Sequence, residues 1–314
     1  MKKTVSICIP TYKQTEYLTK CLESVLAQSF TDYELIISDD TPDDTIEQFL
    51  KYLLINVSYS YIRNSPAFGM PENWNAAIKK AEGKYIKIMH HDDFFTREDS
   101  LSLMVEEIEK QKASFLFCQT DVWHVKSNIH HIHKISEKQF SILKKKPEFL
   151  FFKNMIGAPS TTLYINNKAF SYDKRFKWLV DIDFYMQYLF NSQKVIYLNK
   201  PLICTAHDTE GQVTGSVIDD RNLQIREHVI LFNKIKKYTN HKPNFTSFFD
   251  YLFFKFQINS FSELEKIVPE AAEHKVFFTS VISGLSKYRL FKAFKKRFFE
   301  SRYNNYIFKF EQFI

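Results

Sequence analysis

Three groups of carboxylates hold most of the chemistry this sequence offers. Asp39 and Asp40 stand together, Asp92 and Asp93 close the run "KYIKIMHHDDFF" behind His90 and His91, and Asp181 and Asp183 follow Trp178. A hard cation such as Mg2+ or Mn2+ needs oxygen ligands and usually binds through one or two carboxylates plus substrate phosphates. Such an ion would neutralise a departing diphosphate as a Lewis acid. A separate carboxylate, Asp181, could then deprotonate an attacking hydroxyl. That combination describes group transfer from a nucleotide-activated donor. In extended backbone, side chains two apart share a side, so His90 would point with Asp92 and His91 with Asp93. Each group also has a plainer reading. Asp39-Asp40 ahead of "TPDD" suits a turn, Asp92-Asp93 could cap the next helix, and Asp181 and Asp183 sit where acids favour a helix dipole.

Other chemistries find less support. The six glycines form no GxGxxG, Walker A or GxSxG pattern, which removes the main sequence support for dinucleotide oxidoreductases, P-loop NTPases and α/β-hydrolases. His124, His130, His131 and His133 cluster, but no cysteine lies beside them to complete a zinc site. Cys8, Cys21, Cys118 and Cys204 are far apart with no CxxC pair, which suits a reducing compartment.

The carboxylates need elements to position them. "TVSICIP" reads as a strand ending at Pro10, and Leu18, Cys21, Leu22, Val25 and Leu26 recur at helical spacing after it. "YELIIS", "VSYSYI", "KYIKIM" and "SFLFC" read as further strands. The helices between them carry Ile46, Phe49, Leu50 and Leu53; Trp74, Ala77, Ile78 and Ala81; and Leu101, Met104, Val105 and Ile108. Strands separated by helices of this length imply a parallel, doubly wound sheet with helices on both faces. Ligands of such sheets bind at the carboxyl ends of the strands, where Asp39-Asp40 and His90 to Asp93 fall. Further on, "GAPSTTLYI" and "KVIYLNKPLIC" read as strands around a helix "VDIDFYMQYLF".

From about residue 216 the pattern becomes helical and Phe-rich, which divides the chain into a domain 1–215 and a helical region 216–314. Its end places Leu285, Tyr288, Phe291, Phe294 and Phe298 on one helical stripe. Lys287, Arg289, Lys292, Lys295, Lys296, Arg297 and Arg302 surround that stripe against the single acid Glu300, so most of the chain's +7 charge gathers there. Coincident charge and apolar stripe fit a membrane surface, the plainer reading being a packed helix with a solvated face. No run of apolar residues is long enough to span a bilayer, and the N-terminal one is too short for a signal peptide. The expectation is a cytoplasmic protein, peripheral at the inner face of the cell membrane.

Taken in order, "VSICIPTYKQTEYLTKCLESVLAQSFTDYELIISDDTPDDT" and "NSPAFGMPENWNAAIKKAEGKYIKIMHHDD" resemble the inverting glycosyltransferases of family 2 of the bacterial surface-polysaccharide type. The resemblance covers roughly residues 3 to 215 and rests on the ordered series rather than on one motif. It implies the GT-A fold, a Rossmann-like, mostly parallel central sheet with helices on both faces, here followed by a C-terminal helical segment. By resemblance, Pro10, Thr11 and Tyr12 line the base and ribose pocket, Asp39 accepts from the base ring N–H, and Asp40 belongs to the same pocket. Asp92 matches the second acid of the family's DxD motif and Asp93 the acid that often follows, while His90 replaces the first. Asp92 would serve both nucleotide and metal. Asp181 occupies the general-base position of the "ED" segment. "TAHDTEGQVTGS" resembles the later loop whose histidine, here His207, approaches the metal or diphosphate, with Thr205 where an arginine often stands.

The implied reaction is a metal-dependent, inverting hexosyl transfer. The donor would be a nucleoside-diphosphate sugar, a UDP-hexose first among them, with Mn2+ or Mg2+ as cofactor. The acceptor would be a saccharide hydroxyl, lipid-linked through polyprenyl diphosphate, in O-antigen or capsule synthesis. The basic tail would hold the enzyme at the membrane, with no nucleic-acid partner. Because His90 breaks the metal motif, the alternative is a catalytically impaired nucleotide-binding or scaffold protein of the same fold. A nucleic-acid module built on the tail is a third reading, without an RNP-like or zinc motif behind it.

Overall fold

A nearly unbroken apolar run makes β1 (Val5–Thr11), which is buried along its whole length. That pattern belongs to a strand covered on both faces. In the computed structural model, residues 2–191, 194–209, 217, 219–238 and 245–286 are described. They fall into two units, one of residues 2–135 and 155–209, the other of residues 136–154 and the described residues from 217 onward. The basic aromatic tail from Lys287 lies outside the described residues, as does most of the segment joining the two expected domains.

The first unit alternates strands and helices. After β1 come α1 (Thr15–Leu26), β2 (Tyr33–Asp39), α2 (Thr45–Leu53), β3 (Ser60–Arg63), α3 (Glu72–Lys80) and β4 (Tyr85–Ile88). Then follow β5 (Asp93–Phe95), α4 (Ser100–Lys110), β6 (Phe115–His124) and β7 (Ile129–His133). A 3-10 turn, Pro159–Thr161, leads into β8 (Thr162–Ile165), and the unit ends with α6 (Val180–Asn191) and β9 (Val195–His207). The helix between β7 and β8, α5 (Glu137–Lys145), belongs to the second unit.

The strands lie in the order β3-β2-β1-β4-β8-β6-β9-β5, with β7 added against β6. β3, β2, β1 and β4 run parallel, as do β6 and β9. β8 enters antiparallel between β4 and β6, and β5 and β7 pair antiparallel with β9 and β6. The sheet is thus the mostly parallel one expected, parallel through its first half and mixed in its second. β5 spans only three residues, and β7 is the exposed, His-rich "IHHIH", so neither carries a strand's apolar signature.

Helices cover both faces, because alternate strand residues bury toward opposite sides. Ile7, Ile9, Leu35 and Ile37 pack with Leu18, Cys21, Leu22 and Val25 of α1, Ile46 and Leu50 of α2, and Met104 and Ile108 of α4. The other side gathers aromatic residues of β6, β8 and α6, where Tyr164 meets Phe184 and Phe115 meets Tyr185 and Tyr188. At the start of β4 only glycine fits position 83. A Cβ there would stand 2.6 Å from the Ser6 backbone nitrogen of the neighbouring strand.

The second unit is helical, with α5 joined by helices over Arg221–Ile235, Phe245–Lys255, Phe261–Ile267 and Lys275–Ser286. Its core is a phenylalanine cluster in which Phe232, Phe249, Phe277 and Phe278 meet mostly edge-on.

Candidate active site

The register places Thr11, the last residue of β1, beside Asp39, the last of β2. The parallel strand order reverses on either side of β1, the position where α/β sheets leave a crevice at their carboxyl edge. Asp39 is buried and tied at both oxygens. Oδ1 accepts the Thr41 backbone N–H at 2.8 Å and Oδ2 accepts the Tyr61 hydroxyl at 2.7 Å. Each oxygen keeps a second lone pair for a ligand N–H. Thr11 Oγ1 is buried without a hydrogen-bond partner, Pro10 is buried within β1, and Tyr12 stands half exposed. Lys13 reaches over the Tyr12 ring, 4.9 Å from its centroid. Lys13 and Gln14 take φ values of 57° and 55°, consecutive left-handed residues that lead the chain from β1 into α1.

Asp40 is held differently. Oδ1 accepts Asn64 Nδ2 at 2.8 Å and the Phe68 N–H at 3.1 Å, and Oδ2 accepts the Gly69 N–H at 2.7 Å. One buried carboxylate thus fixes the loop between β3 and α3. Gly69 makes that turn with φ of 73°, a conformation that favours glycine.

The stretch from His90 to Asp93 is a tight turn rather than continuous strand. β4 stops at Ile88, and the Asp93 N–H closes the turn on the His90 carbonyl at 3.0 Å. The alternation expected of extended backbone therefore ends before the motif. His90, Asp92 and Asp93 present one ligand atom each, all within 4.8 Å of one another. His90 points with Asp92 as strand spacing suggests, but Asp93 joins them.

This trio suits a divalent cation on its own chemistry. His90 Nε2 and Asp93 Oδ2 are buried polar atoms without hydrogen-bond partners. Burial holds the His90 imidazole down to about 4, so its lone pair is available at neutral pH. Burial, reinforced by the charge of Asp92, pushes Asp93 well above the usual carboxylate range, a cost that a bound cation would remove. Asp92 accepts the Thr209 hydroxyl at 3.4 Å. His207, at the end of β9, lies outside the trio. It pairs in register with His124, their rings 5.7 Å apart, and the charge of Asp92 is felt there.

Asp181 opens α6, where Oδ1 accepts the Ile182 N–H at 2.8 Å. Its charge reaches Tyr172 and Tyr185. Tyr172 meets the Trp74 ring edge-on at 4.9 Å, and Trp74 in turn packs on His90 at 4.5 Å. Aromatic packing thus connects the surroundings of Asp181 with the turn at His90. Asp183 faces the interior and accepts Gln187 Nε2 at 3.0 Å.

Several contributors were not singled out as site residues from sequence. Trp74 reads as a position on a helical stripe, Tyr61 and Ser160 fall in segments that read as strands, and Asn64 is given no role of its own. Lys87 is the unusual one, a lysine with no exposed surface inside "KYIKIM". Burial lowers its ammonium to about 8. A charged residue at a core-facing strand position was the available signal. The histidine segment forms β7, where His130 Nδ1 sits 3.0 Å from Asp121 and His131 stacks on His124 at 5.2 Å. Asp121 and His130 also come within 4.8 Å of Cys204 through their ligand atoms.

The sequence pattern of glycosyl transferase family 2 matches residues 6–172, from β1 through β8 to Tyr172. The chain belongs to glycosyl transferase family 2. Among the proteins it resembles is abequosyltransferase RfbV of Salmonella typhimurium. The two are 28% identical over 232 residues, 66% of this chain and 67% of that protein. The fold is GT-A. Staphylococcus aureus TarS residues 1-349, solved with UDP-GlcNAc, is similar at a TM-score of 0.59 and 16% identity, covering 91% of this chain and 92% of that one. The mannosyltransferase PcManGT from Pyrobaculum calidifontis, solved with GDP-Man and Mn2+, is similar at 0.55 and 13% identity, over 98% and 86% of the two chains. This family 2 glycosyltransferase has the β1–β2 crevice and the turn after β4 at the carboxyl edge of its sheet. Among the described residues, no helix is long and apolar enough to cross a membrane.

Proposed function

We propose that this chain is an inverting hexosyltransferase that moves a sugar from a nucleoside-diphosphate donor, a UDP-hexose, to a hydroxyl of a lipid-linked saccharide in O-antigen or capsule synthesis. The observation that carries the reading is the turn at His90, Asp92 and Asp93, three convergent ligand atoms beside the crevice where Asp39 ends β2. The UDP-GlcNAc complex of TarS and the sugar transfer named for RfbV support the donor class.

In this reading Asp39 accepts the base N–H through a lone pair not used by Thr41 or Tyr61, and Thr11 and Tyr12 border the same pocket. Asp92 and Asp93 would hold Mn2+ or Mg2+, with His90 as a neutral nitrogen ligand and His207, at the end of β9, as a further candidate. Bound there, the cation supplies Lewis-acid stabilisation to the leaving diphosphate. Asp181 accepts the proton of the acceptor hydroxyl as its oxygen bonds to the anomeric carbon. The bond to the diphosphate breaks on the opposite face, which inverts the configuration. The imidazole nitrogen favours Mn2+ over Mg2+. The basic aromatic stripe of the tail would keep the enzyme at an anionic lipid surface, close to an acceptor that cannot leave it.

A thermal-shift panel of nucleoside-diphosphate sugars, with and without Mn2+, tests this. A UDP-sugar should raise the melting temperature, and Mn2+ should enlarge the rise. No shift with any donor, in either condition, would overturn the reading. A donor-dependent shift with no transfer to any acceptor would favour the impaired, nucleotide-binding alternative.

A further inference from the structure

We propose that Lys87, acting through Ser160, is a positioning residue that sets the shape of the His90–Asp93 turn. The inference deepens the proposed function and rests on reading that turn as the cation and diphosphate site.

Lys87 lies opposite Ile7 in the β1–β4 register and has no exposed surface. Its side chain shares a core layer with Cys21, Phe95 and Cys118, the Phe95 ring 5.4 Å from the ammonium. A buried ammonium loses its hydration at a cost, and an apolar side chain of similar volume is often neutral or better for stability. Packing alone gives no reason for a lysine here. Its contacts do. Nζ donates to the Ser160 carbonyl and, at 3.2 Å, to the Ile88 carbonyl at the end of β4.

Ser160 is itself fully buried, in the 3-10 turn ahead of β8. Its Oγ accepts the His90 N–H at 3.0 Å, and its hydroxyl donates to the Asp93 carboxylate. One serine therefore holds the entry and the exit of the metal-binding turn, and Lys87 holds the serine. The ammonium also places a positive charge close to Asp93 within the core. Lys87 touches neither donor nor acceptor. It acts by fixing where the His90 and Asp93 ligand atoms stand relative to each other.

K87M removes the charge and the donor at nearly constant length, and S160A removes the hydroxyl that joins His90 to Asp93. Both proteins are to be checked by thermal denaturation and then measured in two ways. Amide hydrogen exchange at His90 and Asp93 should become roughly tenfold faster than in the wild type. Mn2+ binding, followed by the free-ion electron paramagnetic resonance signal, should weaken by roughly ten- to a hundredfold, as expected for an outer partner of a metal ligand. A melting temperature near the wild-type value alongside those losses separates positioning from general destabilisation. Wild-type exchange and wild-type Mn2+ affinity in a folded K87M would overturn the proposal. The same result in S160A would also overturn it, since the coupling runs through that hydroxyl, and it decides the matter if K87M does not fold. If the wild-type protein binds no Mn2+, the cation reading fails, and the exchange measurement alone decides the role of Lys87.

Discussion

Trp74 packs its indole on the imidazole of His90, with 4.5 Å between ring centroids and 40° between the planes. Trp74 belongs to α3 and His90 to the turn after β4, so a helix side chain sets the orientation of a candidate metal ligand. It is nearly buried and also meets Tyr172. Trp74→Ala should therefore cost about 3–5 kcal/mol of stability, read from urea unfolding. Trp74→Phe should recover most of the stability and Mn2+ affinity. Equal Mn2+ affinity in wild type and Trp74→Ala would show that the ring does not orient His90.

Asp181→Asn keeps the size of the side chain and its hydrogen bond to Ile182 but cannot take a proton. Turnover should fall by about a thousandfold, the middle of the range for a general base. Donor binding should be unchanged, because Asp181 stands at the start of α6 and Asp39 in the β1–β2 crevice. Steady-state kinetics with a matched donor and acceptor, beside donor titration, checks both halves.

Asp40 carries three hydrogen bonds into the loop of residues 64–69. Asp40→Ala leaves the Phe68 and Gly69 N–H groups without their acceptor, at a cost of about 3 kcal/mol. Limited proteolysis should then cut within this loop, which the wild-type protein protects. A variant as stable and as resistant as the wild type would remove the anchoring role from Asp40.

His228 gives the helical unit a dependence on pH. It is buried against Phe151 and Phe248, and Nδ1 bonds the Gln224 carbonyl at 2.7 Å. Burial lowers its pKa from the ordinary 6.5 to about 4. Between these values the unfolded chain binds a proton that the folded chain does not. Stability from this residue is thus complete above pH 6.5 and lost as pH falls toward 4, by about 3 kcal/mol in all. His228→Asn should be less stable at pH 7 yet flatter across this window, so the two stability curves approach each other near pH 4. Parallel curves in urea titrations would remove His228 from the acid limb.

Deleting residues 287–314 leaves the helix over Lys275–Ser286 whole while removing all seven bases of the tail stripe. The shortened protein should no longer sediment with vesicles containing anionic lipid, and added salt should weaken binding of the full chain. UDP-sugar binding should persist. Unchanged sedimentation after deletion would sink the membrane role.

Much of this protein is legible along the chain. Apolar runs ending at Pro10, Asp39 and Met89, with helical stripes between them, fix a strand–helix alternation whose carboxyl edges hold the acids. The reason is local, since strand burial and helix amphipathicity repeat within a few residues. The ordered motifs also carry the family. What tertiary structure decided lies where contacts span long separations. β8 enters antiparallel between β4 and β6, a pairing that no periodicity encodes. The turn at His90 breaks strand alternation and brings Asp93 in beside Asp92 and His90, because its backbone hydrogen bonds to Ser160, far along the chain. Asp39 and Asp40 are neighbours with the same side chain, yet one faces Tyr61 and the other a loop of backbone N–H groups. Sequence supplied the chemical groups. Which oxygen is committed to the protein and which still has a lone pair to offer is a property of the packed chain.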